Sequence, residues 1–434
     1  MTRRWEQLRP ASVLRLGAVL CLAMAVSSAS AAAQGPGLPR TYKPAIIDTP
    51  NPLGSASFGW GLSSADVTGD GHLDLLVAQS NPPATAGQIF IYDGVSRQLV
   101  DTINPPERNP DTGQQENFAY VYVETMPDIG SCPPGHTSAT HRICNSSTIG
   151  PGDGIPEIIA GSRAMRVNAT NGATAPTASD PAVGRGYIFD GATRAVLKRI
   201  DMPQADRVSA GGQGGAQFGR MMMNPSGLPP CKGLRSENNN FGVADCPNRP
   251  LGERIGDADG GGKPDIVITA RSYRQPQATA FTGSPCRAAA PGTVCTGAGK
   301  AWLYRGEDIA GTNPNTILDT AAQDYPNPRA TATTGGEYGG NIWRVGDVTG
   351  DGLPEFVIPA RNLSYPLHNP DTSGLANIGA SFMGSAKERF AGSPTARTPC
   401  SGENCMLMIQ PHPEPQPRVQ FPNNFNSGRP TGDL

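Results

Sequence analysis

Asp66-Val-Thr-Gly-Asp-Gly-His-Leu-Asp74 is the stretch of sequence that decides the fold. It carries oxygen-bearing side chains at positions 1, 3, 5 and 9 and a glycine at position 6. Phe58-Gly59 lies shortly before it, and the apolar run 75–78 follows at once. A turn rich in Asp and Gly that opens into a short apolar run predicts a β-strand entered from a tight turn.

The same nine-residue pattern recurs along the chain, and we number the copies loops 1 to 4. Loop 2 is split, because a cysteine-containing insertion separates Asp128 from its continuation at Asp153. An aromatic residue precedes every copy: Phe58, Phe118, Phe218 or Tyr338. The loops after the first are Asp128 with Asp153-Gly-Ile-Pro-Glu157, Asp257-Ala-Asp259-Gly-Gly-Gly-Lys-Pro-Asp265, and Asp347-Val-Thr349-Gly-Asp351-Gly-Leu353-Pro-Glu355.

A second apolar element follows every loop, bounded by two residues seven positions apart. These short aromatic and β-branched runs between glycines predict further strands joined by tight turns. The sequence after the N-terminal segment shows no long 3.6-residue period, so an all-β fold is favoured. The bounding pairs are Gly87 and Gly94, Gly184 and Gly191, Gly299 and Gly306, and Asn377 and Gly384.

Together, the Phe-Gly pair, the acidic loop and the glycine-bounded strands resemble the FG-GAP repeat. That repeat forms the blades of integrin α-subunit propellers and of many secreted bacterial proteins. The resemblance implies an all-β chain folded as a β-propeller of FG-GAP blades. Four repeats are recognisable, at about residues 55–115, 116–200, 215–310 and 335–395.

A partial fifth repeat is expected at residues 421–434. Phe425 precedes Asp433 by the same spacing that separates Phe58 from Asp66. Propellers close with four to eight blades. Four blades and a fraction therefore favour an incomplete or open ring, as expected of an N-terminal fragment of a longer product, over a genuine four-bladed ring.

The loops predict calcium (Ca2+) sites. Calcium is a hard cation that takes six to eight oxygen ligands, and a sharply turning chain can present alternate residues to it. Loops 1 and 4 have the fullest ligand sets, loop 3 lacks an acid at position 5 because Gly261 stands there, and loop 2 depends on its insertion folding aside. The alternative is that these are ordinary Asp-Gly turns held by side-chain to backbone hydrogen bonds. The predicted ligands, with a backbone carbonyl at His72 and Leu353, are Asp66, Thr68, Asp70, His72, Asp74, Asp128, Asp153, Glu157, Asp257, Asp259, Asp265, Asp347, Thr349, Asp351, Leu353 and Glu355.

Residues 1–33 read as a secretory signal peptide. Four arginines precede the apolar stretch 16–26, and Ala31-Ala32-Ala33 offers a cleavage site near Ala33. The apolar stretch is too short to span a bilayer, which takes about twenty residues. We therefore expect an exported chain without a transmembrane anchor, with the propeller region at 34–434.

Eight cysteines remain after the signal peptide, an even number that suggests disulfides in an exported chain. They form four couples close in sequence, so local pairing is expected: 132 with 144, 231 with 246, 286 with 295, and 400 with 405. One alternative stays open. Cys132, His136, His141 and Cys144 are also a ligand set that zinc could use.

Composition limits the function classes. Charged residues make up 17% of the chain and the net charge is -2, without the basic patch of a nucleic-acid binder. No local catalytic signature is found, so we predict no catalytic residues and no enzyme activity. The expected function is a structural or interaction module with a protein or glycan ligand at the propeller face. The alternative is the scaffold of a secreted polysaccharide- or lipid-acting enzyme whose catalytic part is missing from this chain.

Overall fold

The computed structural model describes residues 47–50, 57–80, 87–108, 118–119, 122–129, 154–172, 176–177, 179–209, 213–226, 255–280, 284–311, 317–328, 330, 336–348, 350–360, 380–384 and 406–409. The chain divides into two compact units, Met1–Asn51 and Pro52–Leu434. Residues 47–50 carry no helix or strand, and all elements below belong to the second unit.

The described part of the chain is built almost entirely from short β-strands. Two short helices, α1 (Gln204–Arg207) and α2 (Gly306–Gly311), and a 3-10 turn at Gln277–Thr279 accompany them. The strands are β1 (Ser57–Ala65), β2 (Asp74–Ser80), β3 (Gln88–Tyr92), β4 (Leu99–Ile103), β5 (Glu124–Met126), β6 (Glu157–Ser162), β7 (Arg185–Phe189), β8 (Val196–Asp201), β9 (Phe218–Met223), β10 (Ile266–Ala270), β11 (Gln275–Pro276), β12 (Val294–Cys295), β13 (Lys300–Tyr304), β14 (Ile317–Leu318), β15 (Gln323–Pro326), β16 (Trp343–Gly346), β17 (Glu355–Ala360), β18 (Ala380–Gly384) and β19 (Met406–Ile409).

These strands form four main sheets, each an antiparallel meander in chain order. Sheet 1 is β1-β2-β3-β4, sheet 2 begins β5-β6-β7-β8, sheet 3 is β9-β10-β13-β15 and sheet 4 is β16-β17-β18-β19. β14 adds to the outer edge of sheet 2 by parallel pairing with β8, and β11 pairs with β12 as a small separate ribbon. The predicted all-β fold is confirmed. Among the described strands, no hydrogen-bonded ladder joins sheet 4 to sheet 1.

The second strand of each sheet reads as a continuous apolar run because both of its faces are covered. β6 and β10 are buried at every residue, and β2 and β17 at all but one. Each of these strands follows one of the four acidic loops directly. The predicted strand after the loop is therefore confirmed in all four copies.

Hydrophobic cores lie between consecutive sheets. One core joins sheets 1 and 2 and contains Ile91 and Phe189. A second joins sheets 2 and 3 around Ile188 and Trp302, and a third joins sheets 3 and 4 and includes Phe356. Each sheet therefore depends on its neighbour in sequence for the burial of one face.

The aromatic residues ahead of loops 2, 3 and 4 each act as a wedge between their own sheet and the preceding one. Phe218 packs edge-on against Trp302 and Tyr304 of its own sheet, while its carbonyl oxygen comes so close to Gly184 of the preceding sheet that a Cβ there would meet it at 2.0 Å. Glycine is required at this contact because any side chain would collide with backbone. The same contact joins Gly87 to Phe118 and Gly299 to Tyr338, with Cβ-to-oxygen distances of 1.7 and 2.1 Å.

Cys286 and Cys295 form a disulfide with Cα atoms 6.1 Å apart, so this predicted pairing is confirmed. Both cysteines are fully buried in a small apolar cluster with Ala298 and Ala330. The bond closes the segment that leads to β12. The other three predicted couples and the alternative zinc ligands lie outside the described residues.

No helix in the described ranges is both long and apolar enough to cross a bilayer.

Candidate metal sites and a shared cavity

The first carboxylate of each acidic loop holds the loop closed. In loop 1, Asp66 Oδ1 accepts hydrogen bonds from the backbone N–H groups of Gly69 and Asp70, at 2.7 and 3.1 Å. Its Oδ2 accepts from Gly71, at 2.8 Å. Gly71 has φ +86°, a conformation that glycine adopts without steric cost. The Oδ2-to-glycine bond recurs at Asp128 and Gly154 (2.6 Å), Asp257 and Gly262 (2.8 Å), and Asp347 and Gly352 (2.6 Å).

Loop 2 is reassembled across its insertion. Asp128 and Gly154 are 26 residues apart, yet they make the same bond that residues five apart make in the other loops. The reunion that loop 2 requires is therefore present at these two residues. Asp153 lies outside the described residues.

The ninth residue of each loop is a buried acid that joins the loop to the strands behind it. Asp74 Oδ2 accepts from the N–H groups of Val67 and Thr68, both at 2.9 Å, and Oδ1 accepts from Gly94, at 3.1 Å. Gly94 is the second glycine of the pair seven residues apart, so the ninth acid of the loop contacts the turn that follows β3. Equivalent bonds run from Ile129 and Gly191 to Glu157, from Ala258, Asp259 and Gly306 to Asp265, and from Val348 to Glu355.

Burial and like charge raise the pKa values of several loop acids. Burial is the main cause for Asp74 and Asp257. For Asp265, burial together with the nearby carboxylates of Asp259 and Asp257 raises the pKa well above its ordinary value. The pKa of Glu157 is also raised well above its usual range, by burial and then by Asp128 and Asp190. A bound cation would stabilise the ionised form of all these groups.

Loop 3 and loop 4 each hold their own carboxylates close together. Within the described residues, two acidic groups have ligand atoms all within 4.8 Å of one another: Asp257, Asp259 and Asp265 in loop 3, and Asp347, Asp351 and Glu355 in loop 4. The acids of loop 1 do not meet this distance. There, Asp70 interacts with Asp93, and hydrogen bonds, chiefly from Ser96, lower the pKa of Asp93. By sequence, loops 1 and 4 have the fullest ligand sets, whereas the described structure brings the carboxylates close together within loop 3 and, separately, within loop 4.

The remaining predicted ligands take several positions. Thr68 is exposed at the rim of loop 1. The backbone N–H of His72 donates to Asp70, at 2.8 Å, and that of Leu353 donates to Asp351, at 3.0 Å. These bonds turn the backbone around position 5 in loops 1 and 4. Thr349 lies outside the described residues. The predicted donor set of the loops consists of carboxylate, hydroxyl and carbonyl oxygens, and such hard oxygen donors suit calcium better than they suit softer metals.

A cavity of about 610 Å3 is a second candidate site, one that sequence reasoning missed. The first strand of each of the four sheets contributes to its wall. Trp60 and Trp343 line it and are 60% and 58% exposed, which is unusual for so large an apolar side chain. The other lining residues are Tyr122, Glu124, Arg220, Met221, Gly340, Asn341, Ile342 and Arg344.

Glu124 organises the polar wall of this cavity. It accepts hydrogen bonds from Ser63 Oγ at 2.9 Å and from the Tyr122 hydroxyl at 2.8 Å. Arg344 Nη2 forms an ion pair with it at 2.9 Å, and Arg344 Nε donates to the carbonyl of Asn224. The carboxylate of sheet 2 is thereby connected to sheets 1 and 4, and sheet 4 to the end of β9.

Comparison with known proteins identifies one repeat. The model of the FG-GAP repeat matches residues 58–92, which hold loop 1, β2, β3 and all of β1 except its first residue. No curated protein matches the chain. The resemblance drawn from the four loops is therefore confirmed for the first copy.

Proposed function

We propose that this chain is an exported, calcium-binding β-propeller that acts as a structural or interaction module and not as an enzyme. Its partner would be a protein or a glycan. FG-GAP repeats are typical of extracellular proteins and suggest an interaction module of the propeller type. Four meanders with the same loop and the same strand order, joined by the same wedge contact at each of three junctions, are the pattern that radial repetition requires.

The observation that carries the propeller proposal is the shared cavity. Trp60 of β1, Glu124 of β5, Met221 of β9 and Trp343 of β16 line one space. In a propeller the innermost strands of all blades face a common channel. Cores between sheets 1 and 2, 2 and 3, and 3 and 4 agree with blades stacked in chain order.

Calcium would act by neutralising the loop acids and locking each loop onto its sheet. Asp265 shows the connection, since its carboxylate contacts both the start of loop 3 and Gly306 beyond β13. A cation held by such a carboxylate fixes the loop and two strands together. Ordered loops would then present the surface that a partner recognises.

The shared cavity is the place we assign to partner contact. Contiguous exposed apolar surface marks interaction sites more than scattered single residues do, and Trp and Arg dominate the energetics of interfaces. The cavity volume falls within the range of about 300–1,000 Å3 typical of ligand sites. Its wall combines two exposed indoles with the polar groups of Glu124, Arg220 and Arg344.

The test is a thermal melt of the purified chain with calcium and with excess chelator. An ion that binds only the native state stabilises it by about 2.7 kcal/mol when present at a hundred times its Kd. We expect a higher Tm with calcium and a smaller increment in Asp351→Asn, which removes a charge from an exposed position of loop 4. Asp308→Asn, an exposed acid outside the loops, is the matched control. Identical melting curves in calcium and chelator would refute the calcium role.

A further inference from the structure

Loop 3 lacks the acid at position 5, and the structure places another carboxylate in the space that this acid would fill. Gly261 stands where loops 1 and 4 have Asp70 and Asp351. A Cβ built on Gly261 would lie 2.1 Å from Oε1 and 2.6 Å from Oε2 of Glu307. Position 5 of loop 3 is therefore filled from outside the loop.

Glu307 is held there by the loop itself. It belongs to α2, which follows β13, and the preceding residue, Gly306, donates its N–H to Asp265 Oδ1 at 2.8 Å. The ninth acid of the loop therefore fixes the backbone immediately before Glu307. The short connection then delivers the Glu307 carboxylate over Gly261.

Glu307 is partly buried as a residue, but both of its carboxylate oxygens are inaccessible to solvent and have no hydrogen-bond partner outside Glu307 itself among the described residues. Leaving such a group unsatisfied costs free energy, so buried carboxylates are normally paired or bound to a metal. The surrounding charge is unbalanced as well. The site holds four carboxylates, including Asp257 and Asp259, but only two nearby cationic side chains. Arg305 pairs with Asp259 at 2.7 Å, and Lys263 interacts electrostatically with Glu307.

The sequence shows the exchange directly. The residue after the second glycine of each pair is Val95, Ala192 or Ser385 in repeats 1, 2 and 4, and a glutamate only in repeat 3. In repeat 3 the acid is missing from position 5. Repeat 3 therefore has an acidic side chain in the turn that packs on the loop and none at position 5 of the loop.

We infer that Glu307 is a calcium ligand of loop 3. It would complete, from another segment of the same chain, the ligand set formed by Asp257, Asp259 and Asp265. This inference rests on the calcium role proposed above and adds a ligand from another segment of the chain. With Glu307 the loop offers four carboxylates, which is within the range of calcium sites. Loop 3 would then bind calcium with an affinity similar to that of the loops that have a complete nine-residue pattern.

The experiment measures calcium binding by titration calorimetry in the full mature chain. Asp70→Asn and Asp351→Asn form the background, because both residues are exposed and their change weakens loops 1 and 4 without disturbing the core. In that background we expect Glu307→Gln to weaken calcium binding on the order of tenfold, since ligand charge sets affinity. Asp308→Asn, one residue further along α2, should leave it unchanged.

A rescue separates a ligand from a merely structural residue. Gly261 does not have a positive φ, so an aspartate is sterically allowed at its backbone once Glu307 is shortened. We expect Glu307→Ala to weaken binding and the double variant Gly261→Asp with Glu307→Ala to restore it within about threefold, because the acid returns to position 5. The calcium-induced rise in Tm should follow the same order.

The possible failures are distinguishable. Undiminished calcium affinity in Glu307→Gln, or a loss in Glu307→Ala that Gly261→Asp does not restore, would overturn the assignment of Glu307 alone. Absence of calcium binding by the wild-type chain would overturn both this inference and the proposed calcium role.

Discussion

At the residue scale, Ala119 shows how strongly the repeat imposes its backbone. The glycine after the wedge aromatic takes φ values of +82° at Gly59, +75° at Gly219 and +76° at Gly339. Repeat 2 has Ala119 at this point, and its φ is also positive, +47°. Left-handed backbone costs a residue with a Cβ roughly 1–2 kcal/mol. The wedge geometry is therefore kept against a local conformational preference.

We predict that Ala119→Gly is close to neutral or stabilising, by up to about 1 kcal/mol, although Ala119 is buried. Relief of the positive φ should offset the loss of the methyl contact. Ala78→Gly is the matched control, since Ala78 is fully buried in β2 without a positive φ; we expect it to destabilise by about 1 kcal/mol. Chemical denaturation measures both, and equal losses would contradict the strain at Ala119.

At the element scale, consecutive sheets approach each other where a glycine of one repeat lies against the backbone carbonyl oxygen of the next repeat's aromatic residue. Gly87 of repeat 1 lies against the carbonyl of Phe118, and Phe118 packs edge-on against Tyr187 and Phe189. Ion pairs reinforce the same junction, since Arg185 of β7 contacts Glu107 after β4 at 2.7 Å. The aromatic of one repeat and the glycine of the previous one thus form a single structural unit.

We predict that Gly87→Ala destabilises the chain by about 1–3 kcal/mol or prevents folding, because its Cβ would require the Phe118 backbone to move. The φ of Gly87 is not positive, so the effect would be steric. Gly214→Ala is the control, as a Cβ there meets nothing within 4 Å and its φ is not positive. Urea denaturation compares the two, and similar small losses would show that the sheets can separate to admit a methyl group.

At the scale of the whole molecule, each sheet shares a core with the next, so unfolding one exposes its neighbour. Trp302 is fully buried between sheets 2 and 3, whereas Trp60 and Trp343 are exposed in the shared cavity. Cores that extend across element boundaries favour cooperative unfolding. The four sheets are thus expected to behave as one folding unit.

We predict a single unfolding transition, with the same midpoint by far-UV circular dichroism and by Trp302 fluorescence. The fluorescence is read in the variant Trp60→Phe with Trp343→Phe, expressed as residues 34–434, which retains the buried indole of Trp302 and no other. Exposed positions tolerate such replacements within about 0.5 kcal/mol. Midpoints that differ between the two probes would show that sheets unfold independently.

The sequence by itself determined the all-β class, the four acidic loops with the strand that follows each, and the Cys286–Cys295 pairing. The loops and strands follow from local rules: a glycine at a positive φ, an acid that accepts backbone N–H groups, and an apolar run after a turn. The disulfide follows from the closeness of its two cysteines in the sequence. The signal peptide, the calcium ligands and the absence of catalysis remain predictions from the same pattern.

The tertiary structure decided what depends on segments distant in sequence. It joined Asp128 to Gly154 across an insertion, brought the carboxylates of loops 3 and 4 together more closely than those of loop 1, and placed Glu307 over Gly261. It also gathered Trp60 and Trp343 into one cavity. Spacing along a chain shows only which residues share a turn or a strand. A carboxylate in a neighbouring turn, or an indole in another sheet, reaches a site through tertiary packing, and a nine-residue pattern does not encode that packing.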